Sequence, residues 1–308
     1  MTEIHRSIFK KKYRQLLRMI LSGLPSSIRF AFYRSLVDCD PAPDARLELK
    51  IAETQQELED CFRLLHDAYV SSGFMMPDPS GMRVTQYHAL PTTTTLCAKY
   101  DGRIVGTISM IREGVFGFPL RAIFDLEPVR VKCGNIAEIS ALAVHPEFRQ
   151  TRGFILFFLM KFMRAHCADF FDTRHLVIAV NPEKIELYEA PLLFERLQDM
   201  PVDRYDFANG APAVGATIDL NHATAIFKSN YRGKSIRKSL YKYFFQLEID
   251  NIKLPSRRYN VTNDPVMTPQ LLDYFSTIKH SSSTHSTIAK NHFFGPSTTW
   301  PSIGVCCP

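Results

Sequence analysis

Residues 137–166, AEISALAVHPEFRQTRGFILFFLMKFMRAH, limit the folds open to this chain more than any other stretch. They read as strand, turn and helix in immediate succession. Ile139, Ala141 and Ala143 alternate with Ser140, Leu142 and Val144 in a mostly apolar run that Pro146 ends. That is the pattern of a central strand covered on both faces. One carboxylate, Glu138, sits inside the run. The turn over 147–152 carries Arg149 and Arg152 and closes on Gly153. Residues 154–163 are then apolar except for Lys161, and Arg164 and His166 follow, where cations suit the negative end of a helix dipole.

A strand that passes through a glycine-containing turn into a helix leaves unpaired backbone N–H groups at the helix start. With the positive end of the dipole they make a site for an anion such as phosphate. A carboxylate upstream on the strand then stands within reach of chemistry beside that anion.

Gln150-Thr151-Arg152-Gly153 resembles the Q/R-x-x-G start of the acyl-CoA-binding motif of the GNAT superfamily of N-acyltransferases, with Ile155 where the full motif has Gly or Ala. Glu138-Ile139-Ser140-Ala141-Leu142-Ala143-Val144 is similar to the E-L-S-R-x-x-V strand of acyl-homoserine-lactone synthases and bacterial N-acyl amino acid synthases, with Ala141 in the place of Arg. The resemblance extends more loosely over 48–228. It implies an α/β fold (α+β, GNAT-like): a mixed, strongly twisted central sheet flanked by helices, here with a helical N-terminal extension. The divisions expected are a basic amphipathic extension over 1–40, an acyltransferase core over 45–228, and a basic helix with a polar extension over 229–308.

Charge is unevenly placed. Residues 1–38 hold eight basic residues against Glu3 and Asp38, so that segment nets +6, while the remaining 270 residues carry 29 charges of each sign. Residues 4–24 place Ile4, Ile8, Leu17, Leu21 and Leu24 at helical spacing opposite Lys10, Lys11, Arg14 and Arg18. This basic amphipathic helix suits either packing on the body, an anionic membrane surface, or an acidic partner. Gly23 and Pro25 stop it, and Ser26 or Ser27 is placed to cap a second short helix reaching Val37. The segment is expected to be separable from the catalytic body. Seven scattered cysteines show no metal-ligand spacing and no disulfide framework, which fits a reducing cytoplasm. No apolar run reaches the ~18–20 residues of a transmembrane helix, and residues 1–24 lack the features of a signal peptide. Nucleic acid is not an expected partner, because no groove-reading or aromatic–basic motif accompanies the charge.

Along the core, 47–52 reads as a first strand and 57–70 as a helix with Leu58, Cys61, Phe62, Leu65 and Tyr69 on one stripe. The loop over 71–91 is long and holds Phe74, Met75, Met76 and Met82; long loops inside compact domains are often functional lids. Asp101-Gly102 between 93–100 and 103–111 is a strong hairpin signal. Residues 112–135 read as irregular. Residues 175–180 and 212–220 read as strands, and 183–196 as a helix. Residues 223–245 are basic without an acidic residue.

Aminolysis of a thioester needs a base for the amine, donors for the oxyanion and an acid for the departing thiolate. Glu138 is the candidate base, since a carboxylate in an apolar strand has a raised pKa. The resemblance implies oxyanion donors from the central strand, at Leu142, Ala143 and Val144. Asn181-Pro182 through Tyr188 resembles the asparagine and tyrosine that follow the fifth strand in many GNAT enzymes, which makes Tyr188 the candidate acid. Arg149, Gln150, Arg152, Gly153 and Phe154 would hold the phosphopantetheine arm of the acyl donor. Tyr69, Phe74, Met75, Met76, Ser140 and Asn181 would line the acceptor and acyl pocket. The implied co-substrate is acyl-phosphopantetheine on acyl carrier protein, with acyl-CoA second; no metal or bound cofactor is implied. The function expected is an N-acyltransferase that moves a long-chain fatty acyl group to an amino acid or related amine. The alternatives are an acyl-homoserine-lactone-type autoinducer synthase, an exosortase-associated acyltransferase, and a catalytically degenerate core that binds a membrane surface.

Overall fold

Asp101 and Gly102 turn the chain through positive φ at 49° and 78°. This is the conformation a two-residue hairpin of right-twisted strands requires, and it joins β2 (Thr93–Tyr100) to β3 (Arg103–Arg112). The computed structural model describes residues 21, 23–90, 92–114, 116–149 and 154–254. β1 (Leu47–Ile51) and β4 (Asn135–Val144) flank that hairpin, each antiparallel to the hairpin strand it pairs with. β5 (Thr173–Val180) runs parallel to β4, and β8 (Ala211–Asp219) runs antiparallel to β5. The short strands β6 (Glu195–Arg196) and β7 (Val202–Tyr205) both pair with β8. The result is a mixed eight-stranded sheet, ordered β1-β2-β3-β4-β5-β8-β6 with β7 on a side branch.

Helices cover both faces. α1 (Ser26–Ser35) lies at the surface and buries no residue fully. Its N-cap is Pro25 and no side chain caps it, so neither Ser26 nor Ser27 plays the part the sequence suggested. α2 (Gln55–Ser71) starts at a Thr54–Glu57 capping box and buries Leu58, Cys61, Phe62 and Leu65, the stripe its spacing predicts. Those side chains pack with Cys97, Ile104, Ala141 and Ala143 on one face of the sheet. α4 (Phe154–Ala165) packs on the other face; between them in sequence lies the single turn α3 (Glu127–Arg130). α5 (Glu186–Glu189) is far shorter than the helix expected over 183–196: the chain turns at Pro191 and Leu193 takes a positive φ of 60° before β6.

α6 (Leu220–Asn230) and α7 (Leu240–Phe245) close the α4 face. Phe227, Tyr231, Leu240 and Tyr243 share one buried cluster with Leu49, Phe158 and Phe162, so the basic stretch after 228 packs into the core. Lys161, the one charge in the apolar run of α4, is buried; its Nζ donates to the carbonyl of Tyr243 at 2.7 Å and ties α4 to α7. Val37 and Cys39 are also buried in that cluster, and Lys238 Nζ donates to the Val37 carbonyl at 2.8 Å. The end of the 1–38 segment is therefore part of the folded body, contrary to the expectation that it separates cleanly.

A register irregularity sits at the centre of the sheet. Thr107 pairs with Ala143, but Ser109 pairs with Ser140, so two steps along β3 match three along β4. The extra residue makes a β-bulge, and Ala141 there adopts a φ of 54°, in the left-handed region that strains a non-glycine residue. The bulge reverses the side-chain alternation. Ala137 and Ile139 face the α4 side, whereas Ala141 and Ala143 pack against α2. The simple alternation of Ile139, Ala141 and Ala143 on one face is thereby corrected.

Candidate active site

β4 and β5 pair only from Asn135 to Glu138 on β4 and from Thr173 to Val177 on β5. Beyond that point β4 continues to Val144 and β5 to Val180 without pairing to each other. A wedge opens between the two central strands, and the bulge at Ala141 lies along it. The wedge is the neck of a cavity of about 350 Å³ that reaches both sides of the sheet. On the α2 side it is lined by Tyr69, Phe74, Tyr205 and Phe207; on the α4 side, by Met160, Met163, Phe227, Phe244 and Phe245. Apolar walls of this kind suit a fatty acyl chain.

Glu138 stands at the apex of the wedge, 2% exposed, and lines the cavity. Its Oε2 accepts a hydrogen bond from the Leu120 backbone N–H at 3.0 Å. Burial pushes its pKa up to about 8, against the smaller opposing effect of that N–H. The expected raised pKa of Glu138 thus has a clear physical cause, the loss of water around its carboxylate.

Tyr188 projects from α5 into the same cavity, its ring edge-on to Phe194 at 6.2 Å. Burial, aided by the nearby Tyr69, pushes its hydroxyl up to about 12, so it stays protonated and able to donate. Ser140, Leu142, Phe74 and Tyr69 line the cavity. Asn181 lines it too, but its Oδ1 accepts from the Glu183 N–H at 2.9 Å and so caps the turn Pro182–Lys184. Met76 is 73% exposed and Met75 is half-buried, and neither lines the cavity. Ala143 is buried against α2, while Val144 accepts at its carbonyl from Arg149 Nε at 2.7 Å. Arg149 is exposed at the end of the central strand, and Phe154 opens α4 with its ring edge-on to Phe158 at 5.6 Å. Gln150, Arg152 and Gly153 lie outside the described residues, as does the amphipathic stretch over 4–20.

Ile155, the departure from the GNAT motif, is wholly buried in the core beneath the sheet. A Cβ built on Gly106 would lie 2.6 Å from its Cγ2. The bulk of Ile155 is therefore accommodated by a missing side chain on β3.

Three residues that sequence reasoning did not single out stand at the site: Leu120 and Tyr205 near Glu138, and Arg83 against two of the rings that line the cavity. Leu120 contributes a backbone group from the turn Pro119–Ala122, a signal no side-chain pattern carries. Tyr205 ends β7 with its hydroxyl buried and without a hydrogen-bond partner among the described residues, close enough to Glu138, Tyr69, Tyr87 and Arg83 for each to act on its titration. Arg83 is clamped between the rings of Tyr69 and Phe207, 4.0 Å and 4.8 Å from their centroids. Its position in an irregular loop hid it from any periodicity.

A mixed sheet with a splayed central pair, a buried carboxylate at the fork and an apolar cavity through it go with the GNAT fold, and the family match makes the chain an acyltransferase of that fold. The family model for N-acyl amino acid synthase FeeM matches residues 60–219, and the chain belongs to that family. Among solved structures, FeeM from uncultured soil microbes superposes with a TM-score of 0.50 at 21% identity, over 58% of this chain and 94% of that one. BjaI, a CoA-dependent acyl-homoserine lactone synthase solved with SAM and isopentyl-CoA, matches with a TM-score of 0.49 at 18% identity, over 74% of this chain and all 100% of that one. The putative acetyltransferase yncA from Salmonella typhimurium, solved with acetyl-CoA, matches at 0.40 and 17% identity over 57% of this chain and 94% of that one. No curated protein matches the chain.

Proposed function

We propose that this acyltransferase moves a long-chain fatty acyl group from the phosphopantetheine thioester of acyl carrier protein to the amine of an amino acid. The observation that carries the reading is Glu138, a buried carboxylate with a pKa pushed up to about 8, placed where the wedge meets the cavity. Ionised Glu138 takes a proton from the attacking nitrogen, directly or through water, as the N–C bond forms on the thioester carbonyl. Backbone N–H groups among Leu142, Ala143 and Val144 stabilise the oxyanion. The C–S bond then breaks, Tyr188 gives its proton to the thiolate, and exchange with solvent returns one proton to Tyr188 and removes one from Glu138. Strand edges left unpaired beyond Glu138 and Val177 offer peptide groups to the amides of the pantetheine arm. Arg149 and the 150–154 turn would hold its phosphate. One phosphate, and not the pyrophosphate of CoA, suits a motif in which Ile155 replaces a small residue.

Mass spectrometry of organic extracts from expressing cells, beside cells expressing Glu138→Gln, tests the reading. N-acylated amino acids present only with the native chain support it. Acylated lactones would support the synthase of autoinducers instead, and no acylated amine of any kind would overturn the reading.

Association with an anionic membrane belongs to the same proposal. α1 and the residues beside it leave Leu24, Ile28 and Leu36 exposed, and residues 1–38 carry the chain's net positive charge. Each Lys or Arg near anionic lipid is worth about 1 kcal/mol. Among the described residues no helix is long and apolar enough to cross a membrane, so the contact would be peripheral.

A further inference from the structure

Val180, Ile178 and Leu176 occupy alternate positions on β5, and all three line the cavity. Val180 lies at the open end of the wedge and Leu176 below its apex, so the chamber follows the strand inward for about 13 Å. Ile218 of β8, paired in register with Leu176, lines it at the same depth. Met160 and Arg164 line it from α4 and stand one helical turn apart. The chamber therefore runs toward the C-terminal end of α4, away from the 150–154 turn. There it meets rings: Phe227 of α6 with Phe244 and Phe245 of α7.

These rings brace one another. Phe227 stacks on Tyr231 at 6.0 Å and meets Phe244 and Phe245 at 5.8 Å and 5.6 Å. Tyr231 is fixed in turn, its hydroxyl donating to the Pro191 carbonyl at 2.8 Å. Arg164 holds its guanidinium 4.9 Å from the Phe245 centroid, with Nε buried and without a hydrogen-bond partner among the described residues. A wall packed this way does not yield to an extra methylene without strain. An alkyl end pushed past Phe245 would also take from Arg164 the ring face that favours its charge, and would bury that charge against hydrocarbon. Both α6 and α7 begin after residue 219, the last that the family match covers. The wall thus lies outside the matched segment.

We propose that Ala223, Phe227 and Phe245 set the length of the acyl chain that this protein transfers, its tail lying along β5 and its methyl end against the ring cluster. The inference rests on the acyltransferase reading and narrows it to one preferred acyl length. A shorter chain leaves the apolar wall unfilled and forfeits burial. A longer one must displace the rings or reach Arg164. Ala223, 1% exposed on the α6 side, leaves the space that the tail occupies.

The test uses the full chain with acyl carrier protein loaded with an even-carbon series of straight acyl groups. In the native protein kcat/KM should peak at one length and fall about tenfold for each pair of carbons removed. Ala223→Leu, which fills the chamber from α6, should move the peak to a shorter chain. Phe245→Ala, at a partly exposed helix end, should move it to a longer one. The acceptor KM should stay the same in both. A merely structural role would lower activity at every length alike, and either variant decides the matter if the other does not fold.

A flat length profile, or a peak that neither variant moves, overturns the ruler while acyl transfer itself stands. If no acyl group of any length is transferred, free fatty acids of the same series give the second readout. A rise in melting temperature that peaks at one length, shifted by the variants, upholds the chamber and sinks the reaction. No rise at any length sinks both.

Discussion

The Leu120 N–H donates to Glu138 Oε2 at 3.0 Å across 18 residues of chain, from an irregular loop onto a central strand. Glu138 makes no other hydrogen bond among the described residues. One N–H orients the carboxylate but does not compensate for the water it has lost, so desolvation dominates and the pKa rises to about 8.

Catalysis should follow that titration. Glu138 accepts a proton only when ionised, so the acylation rate should climb as pH rises through about 8 and level above it. Glu138→Gln should lower kcat by about 10²–10⁴ and lose this limb. Unchanged turnover of the purified variant at neutral pH would remove Glu138 from the mechanism.

Stability carries the opposite sign. The folded state holds the Glu138 proton to about 8, whereas an unfolded glutamate releases it near 4.5. Across that window the folded protein binds more protons, so this group makes the protein less stable as pH rises. Glu138→Gln, neutral throughout, should gain about 5 kcal/mol over the native chain between acid and alkaline pH. Thermal melts of both proteins across the window would show it; a gap that does not change with pH would mean the carboxylate is not desolvated.

Gly106 and Ile155 should behave as a coupled pair. Gly106→Ala places a methyl 2.6 Å from Ile155 Cγ2 and 3.0 Å from Leu159 Cδ1, and should cost about 1–3 kcal/mol by overpacking. Ile155→Ala should cost about 2–5 kcal/mol by leaving a cavity. The double variant should lose less than the sum, and additivity in denaturant melts would refute the contact.

Arg149 and Arg152 should act on the donor. Replacing either by Ala should raise the KM for acyl carrier protein with little change in kcat, since both contacts precede the chemistry. Normal donor KM in both variants would place the phosphate elsewhere.

The membrane contact is best tested without truncation, because Val37 belongs to the core. Leu24→Ser with Ile28→Ser, at exposed positions, should leave the melting temperature unchanged and reduce co-sedimentation with anionic vesicles. Equal sedimentation of native and variant chains would sink the membrane reading.

Local chemistry already written in the sequence determined much of this protein. Period-two and period-3.6 patterns marked β1 to β5, β8, α2 and α4, though not the short β6 and β7; Asp101-Gly102 set its hairpin, and an acid inside an apolar run singled out Glu138. Gln150 to Gly153 and the Glu138 to Val144 strand carried the family. Those signals are legible because each depends on neighbours in the chain. The helix expected over 183–196 failed for the same reason: an apolar stripe persists where Pro191 has already turned the backbone.

Only the tertiary structure decided where β4 and β5 part, that the bulge at Ala141 reverses which face Ala141 and Ala143 cover, and that Gly106 makes room for Ile155. Only it brought Leu120 and Tyr205 to Glu138, from a loop and a strand end distant in sequence. Their places beside it rest on burial and packing, which are properties of the folded chain that no spacing of residues along it contains.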